Sequence, residues 1–397
     1  MKEDFLKYQA QTSAHPLGLE ISKAEGSYVY DTEGNAHLDF VAGVSACALG
    51  HRHPRVVKAI QEQTERYLHV MVYGEYVQGP AVAFAKKLAA QLPENLQTTY
   101  LVNSGTEAIE GALKLARRVT GRSELIAADK AYHGNTMGSL SVMGYEERKR
   151  AFRPLIPDVR FLTFNDFDGL AMITEKTAGV ILETIQGGAG FILPEPGYLK
   201  AVRKRCDAVG ALLILDEIQP GFGRCGSLFA FEDYECVPDI LVIGKGMASG
   251  LPVGAFVASH EHMAQLQERP KLGHITTFGG NPVIAAASLA TLSELTESQL
   301  IPETLIKEKY FRSLLVHPLI KEIRGKGLML ALLFEAPEIA DFLVLGAARE
   351  QLILFWLLFE SRAVRISPPL TISMDEIEKG CRQILTILDG YPGQAVN

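Results

Sequence analysis

The sequence predicts an α/β protein built on a mostly parallel β-sheet with helices on both faces. Short apolar segments alternate with amphipathic helical segments through the middle of the chain, which is typical of parallel strands joined by helices. The segments between the helices are apolar runs, as expected for strands that are buried on both faces. The chain has 397 residues, 47% of them hydrophobic and 21% charged, so it can bury a large core.

Seven strands are predicted in this central part, with helices such as 106–119 and 198–209 between them. The strands are 99–102, 124–127, 159–162, 179–183, 211–216, 240–243 and 254–258. Ligands of such sheets bind at the carboxyl ends of the strands. The chemistry is therefore expected on the loops at 103–106, 130–135, 183–190, 216–221 and 244–250.

The chain length fits a large and a smaller domain. We expect an N-terminal segment at 1–49 that packs with the small domain, a large domain at 50–299, and a small α/β domain at 300–397. The N-terminal segment has a hairpin-like pattern with its turn at 32–35. The apolar run 352–359 is much shorter than the about 20 residues of a membrane span and is interpreted as a core strand or helix.

Composition argues against several classes of protein. The net charge of −7 disfavours nucleic acid as a partner, because phosphate neutralisation needs a basic surface. No polybasic cluster indicates a membrane surface, and the N-terminus has no apolar signal segment. The five cysteines form no CxxC pair, which favours reduced thiols of a cytoplasmic enzyme over disulfides or a zinc site, and no metal site is expected. The cysteines are Cys47, Cys206, Cys225, Cys236 and Cys381.

Three local patterns carry candidate chemistry. In NSGTEA (103–108) a strand ends and a helix begins, and the free N–H groups of a helix start bind phosphate, although an ordinary N-cap is the alternative. Asp216 ends an apolar strand, where a carboxylate needs a positive partner or caps a helix. Lys245 follows another apolar strand, and a partly desolvated lysine is a nucleophilic amine suited to a Schiff base. Together these patterns predict pyridoxal 5'-phosphate as the cofactor.

Further motifs extend this prediction to a family. The sequence resembles the class III pyridoxal-phosphate aminotransferases, the group of acetylornithine, ornithine and 4-aminobutyrate aminotransferases, from about residue 18 to residue 390. The motifs are GVSACALGHRHP (43–54), NSGTEA, AYHGNT (131–136), ETIQGGAG (183–190), LLILDEIQPGFGR (212–224), IGKGMASGLPVGA (243–255), ITTFGGNP (275–282) and VRISPPL (364–370). The resemblance implies the fold type I of pyridoxal-phosphate transferases and a homodimer with active sites shared at the interface.

The resemblance also assigns roles to residues of the cofactor site. It implies that Lys245 forms the Schiff base and that Asp216 pairs with the pyridine nitrogen, and these two are the predicted catalytic residues. The other predicted cofactor contacts are Ser104, Gly105 and Thr106 at the phosphate, Tyr132 and Ile218 on the two ring faces, Gln219 near the phenolic oxygen, His133, Glu183, and Thr277 from the neighbouring subunit. Core packing for Tyr132, a structural role for His133 and an indirect role for Glu183 stay open as alternatives.

The substrate side of the site is predicted from the same resemblance, and here the sequence departs from the family. Arg365 is expected to clamp the substrate carboxylate, with Asn135 and Thr276 as further substrate contacts. Family members commonly carry a glutamate at position 188 and an arginine at position 135, whereas this chain has Gly188 and Asn135. Both losses weaken the expectation of a glutamate and 2-oxoglutarate cycle, unless another basic residue takes over.

The predicted function is amino transfer from an amino acid, with acetylornithine or ornithine as the nearest donor, to a 2-oxo acid (an enzyme of EC 2.6.1 type). A decarboxylating dialkylglycine-type transaminase or an aminomutase is the alternative within the same cofactor chemistry. A catalytically silent binding protein is the alternative outside it, and the presence of Lys245 and Asp216 speaks against it. A cytoplasmic homodimer in amino-acid metabolism, without nucleic-acid or membrane partners, is expected.

Overall fold

The structure is a computed structural model that describes residues 1–394. Its α-helices are α1 (Lys2–Tyr8), α2 (Ala42–Ser45), α3 (Pro54–Thr64), α4 (Gly79–Ala89), α5 (Gly105–Thr120), α6 (Met137–Ser141), α7 (Tyr198–Val209), α8 (His260–Ala264), α9 (Pro282–Glu297), α10 (Leu300–Leu314), α11 (Pro337–Arg349) and α12 (Met374–Asp389). Its strands are β1 (Ile21–Glu25), β2 (Tyr28–Asp31), β3 (Ala36–Asp39), β4 (Thr98–Val102), β5 (Glu124–Ala128), β6 (Val159–Leu162), β7 (Thr177–Glu183), β8 (Leu212–Asp216), β9 (Ile240–Gly244), β10 (Gly254–Ala258), β11 (Glu322–Lys326), β12 (Met329–Leu333), β13 (Leu352–Ile353), β14 (Phe355–Trp356) and β15 (Ala363–Ile366).

The predicted central sheet is confirmed. Seven strands lie side by side in the order β4-β10-β9-β8-β7-β5-β6. The pairs β9-β8, β8-β7, β7-β5 and β5-β6 are parallel, whereas β10 runs antiparallel to both of its neighbours. Each observed strand begins and ends close to its predicted bounds, because the apolar runs are interrupted by polar or glycine residues where the chain must turn.

Both faces of this sheet are covered, as the apolar runs require. Along β8, Leu213 and Leu215 belong to one core cluster and Leu212 and Ile214 to another, since successive side chains point to opposite faces. Helix α7 packs its apolar side into the first cluster, and α5 packs into the second. The sheet is therefore the middle layer of three, which leaves its carboxyl edge as the place for a site.

Two smaller sheets involve the ends of the chain. The order β11-β12-β15-β14 forms an antiparallel sheet that packs with α10 to α12. The order β1-β2-β3-β13 joins the predicted N-terminal hairpin to the C-terminal part, because β13 pairs in parallel with β3. The division of the chain at residues 49 and 299 stays a prediction.

The apolar run 352–359 differs in part from its interpretation as core. Leu352, Leu354 and Leu357 are buried, but Phe355 and Leu358 are 40% and 36% exposed. Within residues 1–394, none of the helices has the length and apolar character that a membrane crossing requires.

Candidate active site

A cavity of about 590 Å³ opens at the carboxyl ends of the parallel strands. It brings together most of the predicted site residues, namely Gly105, Thr106, Tyr132, His133, Asn135, Glu183, Asp216, Ile218, Gln219, Lys245 and Arg365. These residues come from loops that are far apart in sequence. All of them except Arg365 meet because the strands that precede them lie in one sheet, whereas Arg365 comes from β15 of the small antiparallel sheet.

Lys245 follows β9 directly and begins a short 3₁₀ turn. Its backbone has a φ of 42°, in the left-handed region that a side-chain-bearing residue rarely adopts, and such strain concentrates at functional sites. Burial lowers the pKa of Lys245 to about 8, and the nearby Asp216 counteracts part of that effect. With this pKa, Lys245 is largely uncharged above about pH 8, whereas an ordinary lysine stays protonated up to about pH 10.4, so it can act as a nucleophile or a base under mildly basic conditions.

Asp216 ends β8 and is 3% exposed. Its Oδ2 lies 2.8 Å from Nδ1 of His133, and its Oδ1 accepts a hydrogen bond from the Ile218 N–H at 3.0 Å. The partner that the strand-end carboxylate requires is therefore an imidazole. Nε2 of His133 is buried without a hydrogen-bond partner in the described part of the chain.

The next residue, Glu217, faces the other way, as expected for neighbouring positions of a strand. Its carboxylate accepts hydrogen bonds from the Thr184 hydroxyl at 2.6 Å and from the Ala230 and Phe231 N–H groups at 2.9 and 2.8 Å. Burial raises the pKa of Glu217 to about 7. The two adjacent carboxylates thus have separate surroundings, and only Asp216 lines the cavity.

The amino end of α5 points into the cavity. Gly105 begins this 16-residue helix, and Ser104 caps it by accepting a hydrogen bond from the Glu107 N–H at 3.3 Å. Ser104 itself does not line the cavity. A Cβ at Gly105 would lie 2.7 Å from the Ile218 side chain, so a glycine lets the helix start approach that residue. The unpaired N–H groups and the positive dipole end suit an anion such as phosphate.

Glu183 joins two of the loops that border the cavity. Its Oε1 accepts a hydrogen bond from the Gly187 N–H at 2.9 Å, and its Oε2 accepts one from the Tyr132 N–H at 3.1 Å. Burial raises the pKa of Glu183 to about 7. Both oxygens are engaged by backbone groups, which favours the indirect role that the sequence left open.

Arg365 lies on β15, at the wall that faces the central sheet. It is 4% exposed, and its Nε donates a hydrogen bond to the Trp356 carbonyl at 3.1 Å. Burial lowers the pKa of Arg365 to about 10. Within the described residues no carboxylate pairs with this guanidinium, so its charge is available to a ligand.

The cavity also contains residues that the sequence did not single out, namely Val44, Gly134, Thr136, Gly187, Pro220, Phe355 and Leu358. Val44 lies in α2, where Ala42, Val44 and Ser45 have positive φ values of 49°, 62° and 67°. Val44 and Ser45 fall within the motif 43–54, which was a usable signal, and Ala42 directly precedes it. Phe355 and Leu358 gave no signal, because an apolar run looks the same whether it fills a core or borders a cavity.

Thr276 and Thr277 do not reach this cavity within the described chain. Thr276 accepts a hydrogen bond from the Asn103 side chain at 2.9 Å, and Thr277 is exposed. Thr276 lies instead at a separate groove of about 220 Å³ that also contains Tyr73 and Tyr76. The predicted contribution of Thr277 to a neighbouring subunit stays a prediction.

Comparison with known proteins relates this geometry to one family. The family described as Aminotransferase class-III matches residues 8–388. An acetylornithine aminotransferase of Methanopyrus kandleri is 39% identical over 96% of this chain and 97% of its own, and a putrescine aminotransferase of Pectobacterium atrosepticum is 38% identical over 97% and 86%. The crystallised ornithine aminotransferase of Toxoplasma gondii, with partial occupancy of pyridoxal phosphate at its active site, superposes with a TM-score of 0.90 at 31% identity, covering 98% of this chain and 94% of its own.

Proposed function

The chain belongs to the class III aminotransferases, which are pyridoxal-phosphate enzymes, and from this we propose that the cavity around Lys245 is where amino transfer takes place. One observation carries the proposal. An amine whose pKa is lowered to about 8, a buried carboxylate at Asp216 and the start of α5 share one cavity.

The residues in the cavity fit the cofactor by the chemistry of their groups. Lys245 offers an amine for the aldehyde, Asp216 offers a carboxylate for the pyridine nitrogen, and the N–H groups at Gly105 and Thr106 offer donors for the phosphate. The buried, unpartnered Nε2 of His133 is a further polar atom that a bound group would satisfy. When bound, pyridoxal phosphate supplies an electron sink for the carbanion at the reacting carbon of the substrate.

Each of these side chains then has a distinct task. Lys245 takes the proton from the reacting carbon and returns it later, a role that suits an amine with a pKa near the working pH. Asp216 would keep a proton on the pyridine nitrogen of a bound cofactor, and His133 holds Asp216 in position through the 2.8 Å contact of Nδ1 with Oδ2. Tyr132 and Ile218 line the cavity and would border the two faces of the cofactor ring.

Arg365 gives the site its preference for substrates with a carboxylate. Its guanidinium is buried, has no ion-pair partner in the described chain, and can bind a carboxylate through two parallel hydrogen bonds. Position 188 has no side chain that could cover it. We therefore propose amino acids as donors and 2-oxo acids as acceptors, and N-acetylornithine and ornithine are the first donors to assay by similarity.

A homodimer with shared sites is part of the proposal. Apolar side chains near Thr277 are strongly exposed in the single chain, since Phe278 is 55% and Leu68 is 63% exposed. A second copy would cover such a surface and would bring Thr277 to its partner's cavity. All five cysteines are free thiols, which supports a reducing, cytoplasmic setting.

The test of this function is the variant Lys245→Ala. It should lose the covalent link to the cofactor, observed as the loss of borohydride-fixed cofactor in the protein mass, together with nearly all turnover. The matched control is Lys149→Met, because Lys149 is also buried, its pKa is also lowered by burial, and it lies outside the cavity. If Lys245→Ala keeps the fixed cofactor and normal turnover, the proposal is wrong.

A further inference from the structure

We propose that this site selects amino donors whose side chain is uncharged and apolar. The inference rests on the proposed function and names the donor class of the same cavity. It comes from the wall next to Arg365, where Phe355 and Leu358 line the cavity and Phe359 packs against Gly188.

This wall places apolar surface directly beside the carboxylate-binding group. Phe355 on β14 pairs with Arg365 on β15, so the two side chains are neighbours across the strands. Phe355 and Leu358 both line the cavity and are 40% and 36% exposed. A donor whose carboxylate binds Arg365 would therefore cover these side chains with the remainder of the molecule, which gains free energy only if that part is apolar.

Phe359 fills the space that a side chain at position 188 would need. A Cβ at Gly188 would lie 2.9 Å from the Phe359 ring, and the Phe359 N–H donates a hydrogen bond to the Gly188 carbonyl at 2.9 Å. The ring is fixed further by stacking on Tyr145, with centroids 4.6 Å apart and planes 8° from parallel. The space that a side chain at position 188 would fill is thus occupied by the Phe359 ring, which Tyr145 holds in place.

The charges of the cavity argue against a donor with an anionic side chain. Among its described lining residues the only lysine and arginine are Lys245 and Arg365. The Asn135 amide donates a hydrogen bond to the Tyr132 hydroxyl at 3.0 Å, and it is neutral. A second carboxylate on the donor would therefore be left without a positive partner. In contrast, each methylene group that a donor packs against an apolar wall favours that donor about tenfold or more over one that lacks it.

Arg148 is a nearby cation that offers an alternative. Its guanidinium carbon lies 5.5 Å from the centroid of the Phe359 ring, but Arg148 is exposed and is not part of the cavity lining. If Arg148 turned inward, it could pair with a distal carboxylate, and the experiment below separates this outcome from the proposal.

The first measurement is a donor panel on the holoenzyme, followed by the loss of the visible absorption band of the bound cofactor in single half-reactions. L-alanine is the short reference, and L-norleucine, L-glutamate and L-ornithine test apolar, anionic and cationic side chains. We expect norleucine to react at least about tenfold faster than glutamate or ornithine at limiting concentration, which is about 1.4 kcal/mol. Equal or faster reaction of glutamate overturns the proposal, while no reaction with any amino acid would instead contradict the proposed function.

Variants locate the preference in the wall. Phe355→Ala and Leu358→Ala should each lower the ratio of norleucine to alanine reactivity about tenfold. Phe152→Ala is the matched control, because Phe152 is 60% exposed and lies outside the cavity, and it should leave that ratio unchanged. An unchanged ratio in both wall variants, or a loss of glutamate reactivity alone in Arg148→Met, overturns the proposal.

A binding measurement tests the wall without turnover. Trp356 is the single tryptophan of the chain, and its ring centroid lies 5.2 Å from that of Phe355, so its fluorescence reports on the wall. Titration of the holoenzyme with unreactive carboxylates should show hexanoate binding at least about tenfold more tightly than glutarate. Glutarate binding as tightly as hexanoate would refute the apolar subsite even if the donor panel were ambiguous.

Discussion

Replacing Asp216 by asparagine should remove a charge while keeping the contacts of the side chain. The amide oxygen of the variant can still accept the hydrogen bond from the Ile218 N–H, which is 3.0 Å long in the parent structure. The amide nitrogen can take the place of Oδ2, which lies 2.8 Å from Nδ1 of His133 in the parent structure. The variant should therefore fold and bind cofactor. It should be slow in removing the proton from the reacting carbon of the substrate, because an amide cannot keep the pyridine nitrogen of the cofactor protonated.

The size of the effect follows from the burial of the site. Asp216 is 3% exposed, so its charge acts in a medium of reduced dielectric constant. Two unit charges about 4 Å apart are worth about 4 kcal/mol at an effective dielectric constant of about 20, which corresponds to about a thousandfold in rate. Since part of this attraction already exists before the reaction, we expect kcat to fall at least about a hundredfold in single half-reactions with L-alanine.

The adjacent strand position supplies a matched control. Glu217→Gln removes a buried carboxylate one residue away that faces the opposite side and hydrogen-bonds the Thr184 hydroxyl. This control should lower the Tm, because the glutamine side chain cannot accept all three of the hydrogen bonds that the Glu217 carboxylate accepts. It should change kcat by less than about threefold. A loss below about tenfold for Asp216→Asn, or equal losses in both variants, would show that Asp216 is only a structural partner of His133.

Three further predictions concern the same site. Because burial lowers the pKa of Lys245 to about 8, the rate at which apoprotein links pyridoxal phosphate covalently should rise with pH and level off above about 8; a rate that rises up to the usual lysine range near 10.4 would contradict this. Mixing Lys245→Ala subunits with Thr277→Val subunits should restore part of the activity, since a hybrid dimer keeps one intact site; verified heterodimers without recovery would exclude shared sites. Asn135→Arg should raise kcat/KM for glutamate relative to alanine, and 2-oxoglutarate should not be strongly preferred over pyruvate in the parent enzyme; a glutamate preference above about a hundredfold that the substitution leaves unchanged would show that another residue binds the distal carboxylate.

The parts of the site that the sequence could predict lie at strand ends. Asp216 and Lys245 each follow an apolar run that is long enough to define a strand, and parallel strands in one sheet bring such ends together. Sequence position and topology therefore sufficed to place both in one cavity. The hydrogen bond between Asp216 and His133 needed the structure, because it joins positions 83 residues apart whose loops give no sign of facing each other.

The parts that the sequence could not predict depend on contacts from the other end of the chain. Phe355 and Leu358 lie in an apolar run that resembles a core strand, and only the structure shows that both residues line the cavity. The predicted role of Thr277 comes from the family resemblance of the motif 275–282, and it stays a prediction because it requires a second copy of the chain. A local sequence pattern indicates which side chains of a segment are buried. The positions of Phe355, Leu358 and Thr277 in a site depend instead on which distant segment each of them contacts.

The residues proposed for catalysis and those proposed for donor selectivity lie on two different sheets. Lys245 and Asp216 stand at the edge of the central parallel sheet, whereas Arg365 and Phe355 belong to the small antiparallel sheet. Changes in the second sheet can alter which donor is bound without moving the groups that transfer protons. Relatives named for acetylornithine and for putrescine are about equally similar to this chain, at 39% and 38% identity. Overall similarity therefore does not distinguish between donors, and the proposed donor preference is assigned to Phe355 and Leu358 beside Arg365 instead.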